Sequence, residues 1–153
     1  LRLFLLRHSI AEARVTTDFD RHLTTAGHRK ADHLVEVLLG EGFSPGAIIH
    51  SPMIRSRQTA QAFANRLPHA PMVELAEVMA AKPSLLQLLG DAGWKDPLVV
   101  GHNPGISLLA SQLCGENKVL SFHTCSFAEF ELDALPPQQC RLIRWLPTPP
   151  GYV

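Results

Sequence analysis

Arg7 and His8 stand side by side where a short hydrophobic run, Leu1-Arg2-Leu3-Phe4-Leu5-Leu6, stops. The two residue types together are equipment for phosphoryl chemistry. The planar guanidinium donates two hydrogen bonds to a phosphate, and an unprotonated imidazole attacks phosphorus to form a covalent phosphoryl-enzyme. The same arrangement recurs twice. Ile48-Ile49-His50-Ser51-Pro52 leads into Arg55, and Leu98-Val99-Val100-Gly101 leads into His102. Apolar runs that each deliver Arg or His just past their ends form a constellation, and it points to an anionic, phosphoryl-bearing substrate. A phosphoryl group in transfer spreads charge over its equatorial oxygens, with attacking and leaving atoms in line. His8 is therefore the expected nucleophile, Arg7 and Arg55 the clamp, and His102, when protonated, a further donor. One clamp–oxygen pair near 4 Å contributes about 4 kcal/mol at an effective dielectric of about 20. Loss of one donor then costs roughly 10²–10³-fold in rate.

These residues need strands that end together. Leu and Phe in a run of this length read as a buried strand, and sites of this kind lie at the carboxyl edge of an α/β sheet. After the first strand, the polar stretch 9–22 is too irregular for either element. Thr24-Thr25 then precede Ala31, Leu34, Val35, Leu38 and Leu39, one helical face that Gly40 or Gly42 ends. Ala47–His50 reads as a strand, 53–66 as a helix with Ala60, Phe63, Ala64 and Leu67 inward, and Met72–Leu75 as a short strand. A helix over 84–92 stops at Gly93, and Leu98–Val100 is the next strand. Asn103-Pro104 reads as an N-cap with Pro at the first helical position. Ala128, Phe130 and Leu132 alternate with Glu129 and Glu131, a strand with one wet face near a sheet edge. Residues 140–146 form the last strand. The alternation predicts a single domain over 1–153, a three-layer α/β sandwich with a mostly parallel central sheet flanked by helices.

Lys+Arg and Asp+Glu both number 14, so no net field draws nucleic acid or a membrane surface. The singled-out arginines are local devices. No stretch approaches the ~20 apolar residues of a membrane span, and Arg7 and His8 interrupt the first run too soon for a signal peptide. A cytoplasmic monomer is the expectation. Cys114, Cys125 and Cys140 have neither metal nor redox spacing and read as reduced, mostly buried thiols. None is followed by the Gly-rich turn and Arg of a cysteine-dependent phosphatase loop. His22, His28 and His33 have poor same-face spacing, and no carboxylate or Cys completes a ligand set, so neither a metal nor another cofactor is expected.

The motifs also carry a resemblance. Arg7-His8-Ser9 resembles the Arg-His-Gly signature of the histidine phosphatase (phosphoglycerate mutase-like) superfamily. Ser51-Pro52-Met53-Ile54-Arg55-Ser56-Arg57-Gln58-Thr59 resembles its second signature, and Gly101-His102-Asn103-Pro104 its late Gly-His motif. Asp20-Arg21-His22-Leu23-Thr24-Thr25-Ala26-Gly27 is similar to a segment of the small SixA-type phosphohistidine phosphatases. The resemblance implies a phosphoglycerate mutase-like fold, a phosphorylated His8, phosphoryl binding by Arg7 and Arg55, and a pocket completed by His102. It implies Arg21 as an additional phosphate contact.

Ser9 stands where the family has Gly, which would be uncomfortable at φ > 0, and His22 stands where Pro is usual. Longer members insert a helical segment carrying an acidic general acid, and the stretch 76–97 leaves little room for such a lid. Glu77 sits where an acid could be. Thr124, in the turn Phe122-His123-Thr124 before a strand, is a candidate for a hydrogen bond near the pocket. Arg57 reads as a solvated helix residue, and Gln58 and Thr59 as packing. A phosphate ester leaves as an alkoxide and benefits from a proton donor worth about 10²–10⁴-fold, whereas phosphohistidine has a weaker P–N bond. A short site without an obvious acid therefore suits phosphohistidine on a phosphorylated partner protein. The alternatives are small phosphorylated metabolites as substrates, or a non-catalytic phosphate-binding module.

Overall fold

The computed structural model describes residues 1–13, 17–115 and 118–152. Six strands form one sheet: β1 (Arg2–Arg7), β2 (Ala47–His50), β3 (Met72–Glu74), β4 (Pro97–Gly101), β5 (Phe127–Leu132) and β6 (Cys140–Leu146). Their order is β3-β2-β4-β1-β5-β6. The first four are mutually parallel, whereas β5 and β6 run antiparallel. Four helices, α1 (Thr25–Gly40), α2 (Ile54–Ala64), α3 (Ser84–Ala92) and α4 (Gly105–Cys114), cover the two faces.

The apolar runs of β1, β2 and β4 follow from this position. A strand with helices on both faces must be apolar at every residue. Leu3 and Leu5 join the cluster that includes Leu85 and Leu89 of α3 and Ile106 and Leu109 of α4. Phe4 and Leu6 join the cluster that holds Leu34 and Leu38 of α1 and Phe63 of α2. That is the expected three-layer arrangement. β5 has the predicted alternation: Ala128, Phe130 and Leu132 are buried, and Glu129 and Glu131 are half-buried. It is the strand next to the edge, with β6 outside it.

The helix punctuation follows local chemistry. The Thr24 hydroxyl accepts from the Gly27 N–H and caps α1. At the other end the Gly42 and Phe43 N–H groups donate to the Leu39 and Leu38 carbonyls, with Gly42 at φ 82°. This Schellman closure needs the left-handed residue just past the cap. Gly93 ends α3 in the same left-handed region.

One expectation fails at α4. The helix starts at Gly105, and Asn103 does not cap it through its side chain. Asn103 Nδ2 instead donates to the Phe122 carbonyl, and Asn103 Oδ1 accepts from the Ser107 hydroxyl. The amide is spent on holding the 122–126 turn against the end of β4. Of the polar stretch 9–22, residues 14–16 lie outside the described residues, and Ala11 forms a single antiparallel bridge with Leu23.

That stretch is pinned by a close approach at Gly27. A Cβ there would lie 2.0 Å from the Ile10 carbonyl oxygen, so the first turn of α1 rests directly on the backbone following His8. Gly27→Ala, ordinarily favourable inside a helix, is expected to destabilise the protein by about 1–3 kcal/mol through overpacking. Urea unfolding of the variant against wild type checks this.

Candidate active site

The carboxyl ends of β1, β4 and β2 are neighbours in the sheet, and each supplies one piece of the site. Arg7 and His8 follow β1, His102 follows β4, and Ser51 with the first turn of α2, which carries Arg55, follows β2. His8, Arg55 and His102 are all buried polar residues. The His8 and His102 rings stand 5.1 Å apart between centroids.

His8 is held in one tautomer. Its Nδ1 lies 2.7 Å from the Ser9 carbonyl oxygen. A carbonyl only accepts, so Nδ1 carries the proton and Nε2 keeps its lone pair. Burial pushes the His8 pKa down to about 3, with the fields of His102, Arg55 and Arg7 acting in the same direction against the Ser9 bond. The ring is neutral at pH 7. The Arg55 Nε–H donates to Nε2 at 3.3 Å, so the guanidinium lies against the atom that carries the lone pair.

His102 is tied to β2. Ser51 Oγ is 2.5 Å from His102 Nε2 and accepts from the Met53 N–H at 3.2 Å. His102 Nδ1 is buried with no hydrogen-bond partner among the described residues. Burial first, then Arg55, lowers the His102 pKa to about 4, so the ring expected as an imidazolium is neutral at pH 7. Arg7 donates from NH1 to the Phe122 carbonyl at 3.1 Å, and its Nε is also buried without a partner. Burial and then the neighbouring Arg21 and Arg55 lower the Arg7 pKa. Unpaired buried donors cost about 1–3 kcal/mol each, and an anion with several oxygens is the species that relieves them.

The remaining predicted residues lie around this centre. Arg21 is half-buried, donating from Nε to the Glu12 carbonyl and from NH1 to Asp18. Thr124 Oγ1 accepts from Lys30 Nζ at 3.0 Å, a contact with α1. Glu77 is exposed on a short 3₁₀ turn, Ala76–Val78, after β3. Its neighbour Val78 packs beside Gly101, but among the described residues no hydrogen bond draws the Glu77 carboxylate into the cluster. Arg57 is exposed, as read.

The structure revises two packing readings and one worry. Thr59 Oγ1 accepts from the Ser9 N–H at 3.0 Å while donating to the Arg55 carbonyl, so it couples the two functional loops. Gln58 accepts from the Leu23 N–H and pairs with His22 Nδ1. The Ser9 backbone avoids positive φ, and its hydroxyl donates to the Gly27 carbonyl at 2.6 Å. Ser in place of Gly therefore adds a tie between β1 and α1. Sequence reasoning missed Asp18, whose carboxylate pairs with both Arg55 and Arg21. Its only sequence signal was its place three residues before Arg21. Of the cysteines, Cys125 is fully buried and Cys114 and Cys140 half-buried, all free. Among the described residues no group of three His, Cys, Asp or Glu could hold a metal. His33 instead bonds the Pro150 carbonyl. A hollow of about 450 Å³, lined by Pro83, Leu86, Leu109, Cys114 and Cys140 among others, lies away from this cluster and has no charged side chain among its described lining residues.

Residues 3–84 match the family model described as Histidine phosphatase superfamily (branch 1). The chain belongs to the histidine phosphatase superfamily. It is 27% identical over 151 residues to the Phosphohistidine phosphatase SixA homolog of Haemophilus influenzae, covering 87% of this chain and 89% of that protein. It is also 27% identical to Phosphohistidine phosphatase SixA of Escherichia coli over 139 residues, covering 87% and 86%. Among solved structures, the protein histidine phosphatase SixA complexed with tungstate superposes with a TM-score of 0.83 at 25% identity, covering 97% of both chains. The expected phosphoglycerate mutase-like sandwich is the fold of this superfamily member.

The two depressed histidines set an acid limit on stability. Both are neutral when folded, whereas the unfolded chain protonates them near pH 6.5. Below that pH the unfolded state binds more protons, so stability falls as pH drops from about 6.5 toward about 4. Urea midpoints measured across this window are expected to fall for wild type and to fall less steeply for His8→Gln.

Proposed function

We propose that this chain is a phosphatase that passes the phosphoryl group through a covalent intermediate on His8, with phosphohistidine on a partner protein as its substrate. The observation that carries the reading is the His8 Nδ1 bond to the Ser9 carbonyl. It presents Nε2 as an unprotonated nucleophile beside Arg55. It also keeps a proton on Nδ1, so phosphorylated His8 leaves as neutral imidazole when water attacks phosphorus. Arg7 and Arg55 bind the phosphoryl oxygens, with the unpaired Arg7 Nε and His102 Nδ1 as additional donors. A bound dianion opposes the field of Arg55 on His102 and favours its charged form. Arg21 adds a contact from the rim, and Thr124 orders the wall beside Lys30. Tungstate, the oxyanion bound by the similar SixA structure, is tetrahedral like the group this pocket would take.

Two features favour phosphohistidine over an ester. Between β3 and β4 the chain has room only for the 3₁₀ turn and the nine-residue α3, so this connection builds no lid. The carboxylate nearest the arginines, Asp18, is held below the usual carboxylate range, chiefly by its hydrogen bond from Arg21. It is a poor proton donor, and Glu77 stands apart from the cluster. A phosphohistidine with its second ring nitrogen protonated departs as neutral imidazole and needs no such donor, whereas an alkoxide does. Free thiols accord with a cytoplasmic enzyme.

The test is phosphate release from a phosphohistidine peptide and from p-nitrophenyl phosphate. Wild type is expected to prefer the phosphoramidate, His8→Ala to lose turnover, and Arg55→Ala to lose roughly 10²–10³-fold. Glu77→Gln is expected to lose less than the ~10²-fold that marks a general acid. Faster turnover of the ester, or turnover that survives His8→Ala, overturns the reading.

A further inference from the structure

Every nitrogen of the Arg55 guanidinium is engaged by another group of the protein. Nε faces His8, NH1 donates to the Asp18 carbonyl at 2.7 Å, and NH2 donates to Asp18 Oδ2 at 3.0 Å. The other carboxylate oxygen, Oδ1, accepts from Arg21 NH1 at 3.1 Å. One carboxylate thus places its two oxygens on two guanidinium groups read above as phosphoryl ligands. Among the described residues no other side-chain carboxylate pairs with either arginine. A phosphoryl group cannot take the outer edge of Arg55 while Asp18 holds it.

We propose that Asp18 is a tethered competitor for the phosphoryl oxyanion: its carboxylate occupies Arg55 and Arg21 in the resting site, gives way to substrate, and returns as phosphate leaves. The inference rests on the proposed role of Arg55. The positions of the two partners make the exchange easy. The Arg55 side chain is only 7% exposed, whereas that of Asp18 is 46% exposed, so the arginine stays and the aspartate swings into water at little desolvation cost. Residues 18–20 form a bend and turn rather than a helix or strand, so the swing breaks no ladder of backbone bonds. A dianion outbids a single carboxylate on charge. A resting carboxylate also spares the pocket the full repulsion of Arg7, Arg21 and Arg55, and it weakens retention of inorganic phosphate, the product.

Binding of inorganic phosphate to the full chain, measured by calorimetry and as inhibition of turnover, tests this. Asp18→Asn and Asp18→Ser are each expected to tighten phosphate binding about 3- to 10-fold, the span set by one or two part-exposed ion pairs. The ratio to wild type should persist at about 0.5 M salt, where remote charge effects are screened. Unchanged or weaker binding in both variants overturns the proposal, as does a gain that disappears at high salt. Arg55→Ala separates the two levels. If it leaves phosphate binding intact, the assignment of Arg55 fails and takes the competitor with it. If it weakens binding while the Asp18 variants do not tighten it, the competitor alone falls.

Discussion

The hydrogen bond between His8 Nδ1 and the Ser9 carbonyl is the contact around which the rest of the site is arranged. It decides which nitrogen carries the proton, and so which end of the ring can act. The surrounding fold keeps that carbonyl in place. The Ser9 N–H is held by Thr59 of α2, the Ser9 hydroxyl by the Gly27 carbonyl of α1, and Gly27 itself lies against Ile10. The Nε2 lone pair of His8 is thus aimed by contacts from two helices packed on the same face of the sheet.

The site is electrostatically unfinished. Arg21 and Arg55 lower the Arg7 pKa, two buried nitrogens lack partners among the described residues, and burial holds both histidine pKa values down. Each of these costs stability. Under the proposed function each is relieved by the same event, the arrival of a multiply charged oxyanion. Donors fixed in advance, in a place with little water, stabilise a developing charge without reorganising. Asp18 moderates the strain at the edge that faces solvent.

The sheet explains why so small a chain can do this. β1, β4 and β2 lie side by side and parallel, so their carboxyl ends deliver three loops to one spot without any inserted domain. The antiparallel pair β5 and β6 extends the sheet on the other side, and the turn before β5 returns the Phe122 carbonyl to Arg7 and Asn103. Segments that elsewhere would form a lid are here a three-residue turn and one short helix.

The strands and helices were legible because burial on two faces forces continuous apolar runs, and a helix face repeats at a fixed period; Leu3–Leu6 and Ala31–Leu38 carry those signals in their own residues. The ends of helices were legible where a backbone conformation demands a residue type, as at Gly42 and Gly93, and misread at Asn103, whose amide answers a carbonyl 19 positions away. His8, Arg7, Arg55 and His102 were legible as a set because charged or titratable residues at the ends of buried strands have few structural reasons to be there. The sequence by itself determined the elements and the chemical types gathered at their ends. Only the tertiary structure decided the tautomer of His8, the neutral state of His102, the joining of Ser9 to Thr59 and the capture of Asp18 by two arginines. Those depend on backbone conformation and atomic distances that packing fixes and on exclusion of water, and no pattern of residue types encodes either.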